Sequence, residues 1–209
     1  RNYESPVTGY QIAESIGPRL LKDAICVEID NKFQDLSYEI SEDTSIRIVT
    51  TKDLDALHIL RHSSAHILAQ AVLNLYPKAQ FGVGPSIENG FYYDFLFENP
   101  IKENELENIE KEMKKIAKSS QNFVRSEITK KEAERIFKNQ KLKLELIESA
   151  ESDEGVGDDV VSIYTNNKFL DLCMGPHIPS TNVLKYFKLT KISGAYWRGD
   201  ESNVQLQRI

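Results

Sequence analysis

Two short pairs of reactive side chains lie more than a hundred residues apart in this chain, and together they restrict how it can fold. The first pair is His62-x-x-x-His66, and the second is formed by the ends of Cys173-Met-Gly-Pro-His177. Residues four apart lie on the same face of a helix, so the two histidines are expected to project together. If the fold brings the second pair against the first, the four side chains form a small reactive pocket.

The chemistry of this pocket is open to two interpretations. By ligand type, the four side chains suit a tetrahedral zinc site. The same imidazoles could instead relay protons in a metal-free hydrolysis, because histidine titrates near neutral pH. The zinc-peptidase pattern His-Glu-x-x-His is not met, since Ser63 stands where the general-base glutamate would be. Spacing alone does not decide between the zinc site and the metal-free site.

Two further charged residues are candidates for the same pocket. Asp171 precedes Cys173 by two residues in a predicted strand, hence on the same strand face, and could hold a substrate ammonium or orient a histidine. Lys143 alternates with Leu142 and Leu144, which in a strand places it on the polar face. There it is either an ordinary surface lysine or, if it faces the pocket, a cation for a developing oxyanion.

The pattern along the chain predicts an α+β protein. A small amino-terminal module combines a helix near residues 10–16 with strands at 24–29 and 45–50, and a boundary falls near residues 51–53. A helix is predicted over residues 54–76, ended by Pro77, followed by a hairpin at 81–97 and helices at 102–119 and 129–139. An acidic loop at 148–159 precedes strands at 160–165, 169–173, 187–190 and 194–198.

Charge and cysteine usage limit the class of protein. The net charge of −6 argues against a free-standing, tight nucleic-acid binder. Residues 114–143 nevertheless hold ten basic and three acidic residues, which form either a solvated helical face or a weak RNA-facing patch. No apolar run approaches the roughly 18 residues of a membrane span, and two distant cysteines, with Cys26 expected in the core, favour a reducing, cytoplasmic setting. The chain begins with Arg1, so we expect a piece of a longer protein.

Four motifs, in this order, resemble the amino-terminal half of bacterial-type threonyl-tRNA synthetase, and the resemblance covers the whole chain. They are Arg61-His-Ser-Ser-Ala-His66, Gly84-Pro-Ser-Ile-Glu-Asn-Gly-Phe-Tyr-Tyr-Asp94, Asp171-Leu-Cys-Met-Gly-Pro-His177 and Gly194-Ala-Tyr-Trp-Arg-Gly-Asp200. The resemblance implies a TGS-like β-grasp domain over residues 1–52, without its first strand. It implies a larger α+β editing domain of the threonyl/alanyl type over residues 53–209, with a helix-packed antiparallel sheet.

The resemblance also implies a function, namely proofreading hydrolysis of mischarged seryl-tRNA(Thr) in the cytoplasm. ATP and zinc are expected only in the family's aminoacylation domain, which would begin where the chain stops. The partner is tRNA(Thr) carrying serine, with no membrane association. The full-length enzyme is expected to be a homodimer, and the fragment a monomer.

In family terms the hydrolytic pocket consists of His62, His66, Cys173 and His177, with Lys143 as a catalytic lysine, Tyr93 as a pocket tyrosine and Asp171 as the residue that reads the amino acid. The resemblance to the threonyl type implies that this pocket works without a metal. Its alanine-specific relatives suggest zinc at the same four residues as the alternative. A different class of function, a non-catalytic RNA-binding or regulatory module with a structural zinc, is the rival interpretation.

Overall fold

The protein combines helices with several small antiparallel sheets, which confirms the α+β prediction. The computed structural model describes residues 2–3, 6–150 and 152–209, so that Arg1 and part of the expected acidic loop, Glu151, lie outside the described residues. None of the helices in the described parts of the chain combines the length and the apolar character needed to cross a bilayer.

The amino-terminal segment, residues 6–52, contains the predicted helix and the two predicted strands, together with four short elements that were not predicted. Its elements are β1 (Val7–Thr8), α1 (Gly9–Ile16), α2 (Pro18–Asp23), β2 (Ala24–Ile29), β3 (Lys32–Asp35), β4 (Glu39–Ile40) and β5 (Ile46–Thr50). A capping box starts α1, because the Thr8 side chain accepts from the Gln11 backbone N–H and the Gln11 side chain accepts from that of Thr8. Strand β2 pairs antiparallel with β3 and β5, and β1 pairs with β4. The β-grasp assignment and the boundary at residue 52 stay predictions.

The central element is helix α3 (Ala56–Leu75), close to its predicted bounds. Every residue from 63 to 72 is buried, as expected for a helix enclosed by other elements on all sides. Helix α4 (Leu106–Lys118), preceded by a single 3₁₀ turn, packs against it. The amino-terminal segment contributes to the same apolar core through Ile25, Cys26 and Val49, which confirms the core position of Cys26.

The predicted hairpin between α3 and α4 forms from four short strands: β6 (Gln80–Phe81), β7 (Ser86–Ile87), β8 (Gly90–Phe91) and β9 (Asp94–Leu96). Strands β7 and β8 pair antiparallel at the tip, and β6 pairs with β9 at the base. Strands β7 and β8 both contact α3. This hairpin therefore covers the part of the helix that carries the histidines.

The second half of the chain contains β10 (Phe123–Thr129), α5 (Lys130–Ile136), α6 (Lys141–Glu148), β11 (Val160–Asn166) and β12 (Phe169–Leu172). Strands β10, β11 and β12 form an antiparallel sheet in that order. Strand β13 (Ser193–Tyr196) pairs with β14 (Gln205–Arg208), which joins β9 and β6. Strand β14 thus connects β13 to the base of the hairpin in one four-stranded sheet.

The strand considered for residues 141–145 and the strand predicted at residues 187–190 do not form, and each difference has a physical reason. The Lys-Leu alternation at residues 141–145 lies in helix α6, whose buried residues Leu142, Lys143, Leu146 and Ile147 follow helical rather than alternating spacing. Residues 187–190 are not in a strand, because the Leu189 N–H donates to the Glu110 carboxylate at 3.1 Å instead of to a neighbouring strand.

Candidate functional site

The structure brings the two reactive pairs together. His62 and His66 lie one turn apart on α3, while Cys173 and His177 lie on the loop that follows β12. The ring centroids of the three histidines are 4.3 to 5.0 Å apart. One ring nitrogen from each histidine and the Cys173 sulfur, the atoms able to bind a metal, all lie within 4.8 Å of one another. We call these four residues the His/Cys cluster.

Short polar contacts link the residues of the cluster to one another and to Ser63 of α3. The Cys173 Sγ lies 3.0 Å from His62 Nε2 and 3.3 Å from His177 Nε2, and it accepts the Gly175 N–H at 3.2 Å. The Ser63 Oγ lies 2.9 Å from His177 Nδ1 and accepts the Ile178 N–H at 3.1 Å. Ser63 therefore orients His177, a role that the failed zinc-peptidase pattern did not reveal.

Two glycines of the sequence motifs are required by this packing. A Cβ on Gly175 would collide with the ring and hydroxyl of Tyr164, and Gly175 has φ of +79°, which favours glycine. A Cβ on Gly84 would collide with the ring of Tyr93. Each of these motif glycines therefore leaves room for a tyrosine ring to pack directly against the backbone.

Burial keeps the cluster electrically neutral near pH 7. Desolvation lowers the pKa of His62 to about 4, with a smaller contribution from His58. Desolvation also lowers the pKa of His66 and of His177 well below the usual histidine value, and raises the pKa of the Cys173 thiol well above its usual value. The imidazoles are therefore uncharged, with lone pairs available to accept a proton or to bind a metal.

The expectation of a pocket without a metal is wrong, because the buried cluster is able to hold a metal ion. Three imidazoles and a thiolate are zinc ligands by type. Zinc–ligand bonds of about 2.0 to 2.3 Å place tetrahedral donors roughly 3.3 to 3.6 Å apart, so the spread of 4.8 Å requires contraction by roughly 1.2 to 1.5 Å at its widest. The Ser63 contact fits as well, since it can accept the Nδ1–H of His177 and leave Nε2 facing the sulfur.

A buried charged network adjoins the cluster. The Lys143 Nζ lies 2.5 Å from Asp171 Oδ1 and 3.0 Å from the Tyr93 hydroxyl, and Tyr93 donates to Asp171 Oδ2 at 2.6 Å. The side chain of Lys143 is 0% exposed and that of Asp171 is 1% exposed. Burial raises the pKa of Asp171, and Lys143 and Tyr93 oppose that rise. Lys143 is therefore not a surface lysine, because α6 turns it inward.

A cavity of about 290 Å³ opens onto the cluster and the network. Its walls include His62, His66, Tyr93, Asp171 and Cys173, whereas Lys143 and His177 lie behind these walls. His58 also lines the cavity, and its Nδ1 lies 2.7 Å from the Ser86 hydroxyl of the hairpin. The spacing of four residues from His58 to His62 puts both side chains on one helix face, and this was the sequence signal that His58 lines the same cavity.

The basic stretch at residues 114–143 is divided by the fold. Lys143 is buried in the network and does not belong to any surface patch. Four of the others form ion pairs with nearby glutamates: Lys114 with Glu110, Lys115 with Glu112, Arg125 with Glu127, and Arg135 with Glu132. An RNA-facing role for this stretch stays a prediction.

Comparison with known proteins identifies relatives over the full length of the chain. It is 49% identical to threonine–tRNA ligase of Burkholderia vietnamiensis over 212 residues and 50% identical to that of Burkholderia multivorans over 212 residues. It is 46% identical to threonine–tRNA ligase of Desulfosudis oleivorans over 209 residues. These alignments cover 100% of this chain and 32% of each relative. Over its full length the chain is therefore similar to part of these threonine–tRNA ligases.

Part of the chain also matches a family of accessory domains. Residues 161–209 match the family described as Threonyl and Alanyl tRNA synthetase second additional domain. This range begins in β11 and includes Asp171, Cys173 and His177. The chain spans about a third of the length of the threonine–tRNA ligases that it matches. The TGS resemblance of residues 1–52 stays a prediction.

Proposed function

We propose that this chain hydrolyses the ester of tRNA(Thr) mischarged with serine, as the editing part of a threonine–tRNA ligase. The observation that carries the proposal is one cavity whose walls combine Asp171 with three residues of the His/Cys cluster, His62, His66 and Cys173, in a chain similar to threonine–tRNA ligases. The need for such an activity is physical. Serine lacks one methyl of threonine, and a synthetic site gains only about 1–3 kcal/mol from that methyl.

Asp171 is proposed to bind the α-ammonium of the seryl group. Its carboxylate has a lone-pair capacity of about four, of which Lys143 and Tyr93 engage one position on each oxygen. Asp171 is one of the residues that line the cavity, and the ammonium is proposed to reach its carboxylate from there. The neighbouring Lys143 favours the ionised form of Asp171, which the interaction with an ammonium requires.

Tyr93 is proposed to be the wall that refuses threonine. Its ring is 1% exposed, is packed against Gly84, and is held through its hydroxyl by Asp171 and Lys143. A ring fixed at both its face and its hydroxyl cannot move aside for an additional methyl without strain. One misplaced methylene costs about 1–3 kcal/mol, which corresponds to a preference of roughly tenfold to two-hundredfold for serine.

The His/Cys cluster is proposed to be the hydrolytic part of the cavity. A water oxygen attacks the ester carbonyl carbon, the bond from that carbon to the ribose oxygen breaks, and serine and uncharged tRNA are released. The proton lost by the water passes through the neutral imidazoles of the cluster to the ribose oxygen. Lys143 contributes positive charge near the oxyanion of the transition state. A zinc ion held by the cluster would polarise the carbonyl or lower the pKa of a bound water.

A second candidate is a non-catalytic module in which the cluster holds structural zinc. The observation that favours it is the presence of four protein donors, because structural zinc sites are closed by four protein ligands while catalytic sites keep one position open. Chelation separates the two candidates. Unfolding on chelation, with no deacylation before it, supports the structural module.

The proposed function is tested with His62→Ala and His66→Ala in single-turnover deacylation of seryl-tRNA(Thr). Each variant is expected to lose activity by about 10²–10⁴-fold, the usual worth of a proton-transfer group. Asp23→Asn serves as the control, because Asp23 pairs with Lys52 on the surface of the amino-terminal segment. Circular dichroism checks the fold of each variant. Near-normal activity of both histidine variants would place the chemistry elsewhere.

A further inference from the structure

The loop that carries Cys173 and His177 is held by a side chain from the amino-terminal segment. Asp35, the last residue of β3, accepts the backbone N–H of His177 through Oδ1 at 3.0 Å. Its Oδ2 accepts the hydroxyl of Tyr164 at 2.5 Å. One carboxylate from residues 6–52 therefore joins the cluster loop to strand β11.

Aromatic rings enclose the same histidine. The Tyr164 ring meets the His177 ring edge-on, with centroids 4.5 Å apart, and the Phe123 ring is stacked with that of His177 at 4.6 Å. Tyr164 is 1% exposed, and its hydroxyl packs against Gly175. Because rings confine the imidazole and Asp35 fixes the backbone N–H, the orientation of His177 depends on residues from three separate strands.

The contacts continue from Asp35 into the cluster without a gap. The amide of His177 meets Asp35, its Nδ1 meets Ser63 at 2.9 Å, and its Nε2 meets the Cys173 sulfur at 3.3 Å. The sulfur in turn lies 3.0 Å from His62 Nε2. A shift of the His177 backbone would therefore change distances throughout the cluster. Misplacement by about 1 Å can cost a site on the order of a hundredfold in rate.

We propose that Asp35 is a positioning residue of the candidate site, so that the amino-terminal segment forms part of that site. Asp35 does not line the cavity that opens onto the cluster, and it acts through the backbone of His177. Its effect on hydrolysis rests on the proposed function, whereas its effect on the geometry of the loop does not. Loss of the outer contacts that orient a metal-binding histidine typically weakens metal affinity by about tenfold to a hundredfold, and we expect Asp35 to have an effect of this size through the His177 backbone.

The test compares Asp35→Ala with Asp35→Asn, and uses Asp23→Asn as the matched control in the same segment. Hydrogen exchange, followed by mass spectrometry, reports on the His177 amide. We expect Asp35→Ala to accelerate its exchange roughly tenfold to a hundredfold, the worth of a hydrogen bond to a charged acceptor. Asp35→Asn keeps an acceptor for this amide and should restore most of the protection. Asp23→Asn should have no effect.

Two further readouts separate positioning from general stability. In deacylation, Asp35→Ala should lower kcat by about tenfold to a hundredfold with little change in KM. In a zinc titration against a competing chelator, it should weaken binding by a similar factor. If Asp35→Ala does not fold, the same measurements are made on Asp35→Asn and on Tyr164→Phe, which removes only the bond to Oδ2. Both variants should change exchange, kcat and zinc affinity in the same direction as Asp35→Ala, but by less.

Unchanged exchange at His177 in Asp35→Ala overturns the proposal. Faster exchange with unchanged kcat and unchanged zinc affinity also overturns it, because Asp35 would then anchor a loop that the site does not depend on. If the wild-type chain does not hydrolyse seryl-tRNA(Thr), the proposed function fails. The exchange and zinc measurements still decide the role of Asp35 in that case.

Discussion

Replacement of Lys143 by methionine tests the buried network most severely. Methionine approximates the length of the lysine side chain but removes the ammonium that lies 2.5 Å from Asp171. Asp171, at 1% exposure, then keeps Tyr93 as its remaining hydrogen-bonding side chain. Removal of one partner from a buried ion pair costs about 3–5 kcal/mol, because the other charge is left uncompensated. We expect a loss of that size in the free energy of unfolding at pH 7.

The loss should depend on pH in a defined direction. Burial already raises the pKa of Asp171 against the opposing effect of Lys143, so the rise is larger without Lys143. A folded state that binds a proton more tightly than the unfolded state loses stability as the pH rises. The deficit of Lys143→Met relative to wild type should therefore shrink as the pH falls from 7 towards the ordinary aspartate pKa of about 4.

The assay is urea unfolding followed by circular dichroism at pH 7 and pH 5.5. The double variant Lys143→Met/Asp171→Leu removes both charges, and Tyr93 keeps the Gly82 carbonyl as an acceptor at 3.2 Å. An apolar replacement of a buried pair is often neutral or stabilising, so the double variant should be within about 1 kcal/mol of wild type or above it. The single variant Asp171→Leu is measured as well. The coupling would be refuted if Lys143→Met lost less than about 1 kcal/mol and if the stability change of the double variant equalled the sum of the changes in the two single variants.

Three further predictions concern the cavity and the cluster. The chain should bind about one equivalent of zinc, and Cys173→Ser should weaken that binding; stoichiometric binding that is unaffected by Cys173→Ser would place the metal elsewhere. Gly84→Ala should disturb the Tyr93 ring and lower deacylation, whereas Gly90→Ala, whose new Cβ meets nothing within 4 Å, should be silent; equal effects would contradict this packing. Asp171→Ala should weaken hydrolysis of the seryl ester without activity on the threonyl ester, while Tyr93→Ala should relax discrimination between the two; the opposite pattern would reverse the proposed roles.

The parts of the fold that the sequence predicts are those specified by local patterns. Helix α3 has apolar residues at helical spacing and ends before Pro77, and both features act over a few residues. The Cys173-Met-Gly-Pro-His177 turn is likewise local, and it follows a strand as expected. Strands β10 and β14 were not predicted, because their stability comes from partners in the sheet rather than from their own alternation.

The site was predicted where its residues form pairs in the sequence, and was missed where tertiary contacts decide. The His/Cys cluster follows from two spacings of four residues. From its own spacing Lys143 could be a surface lysine or a pocket cation, and only the family resemblance assigned it to the pocket, since a buried lysine is recognised only with its partner Asp171 in place. Asp35 has no local signal, and the motif that contains Ser63 does not show its role, because each acts on His177 from more than a hundred residues away.

The most direct measurement of the central claim is the rate at which this chain deacylates seryl-tRNA(Thr) and threonyl-tRNA(Thr), compared under single-turnover conditions. The account predicts hydrolysis of the seryl ester with a preference over the threonyl ester of at least about tenfold, since the extra methyl meets a fixed Tyr93 ring. Equal rates on the two esters, or no acceleration of either above the spontaneous rate, would contradict it.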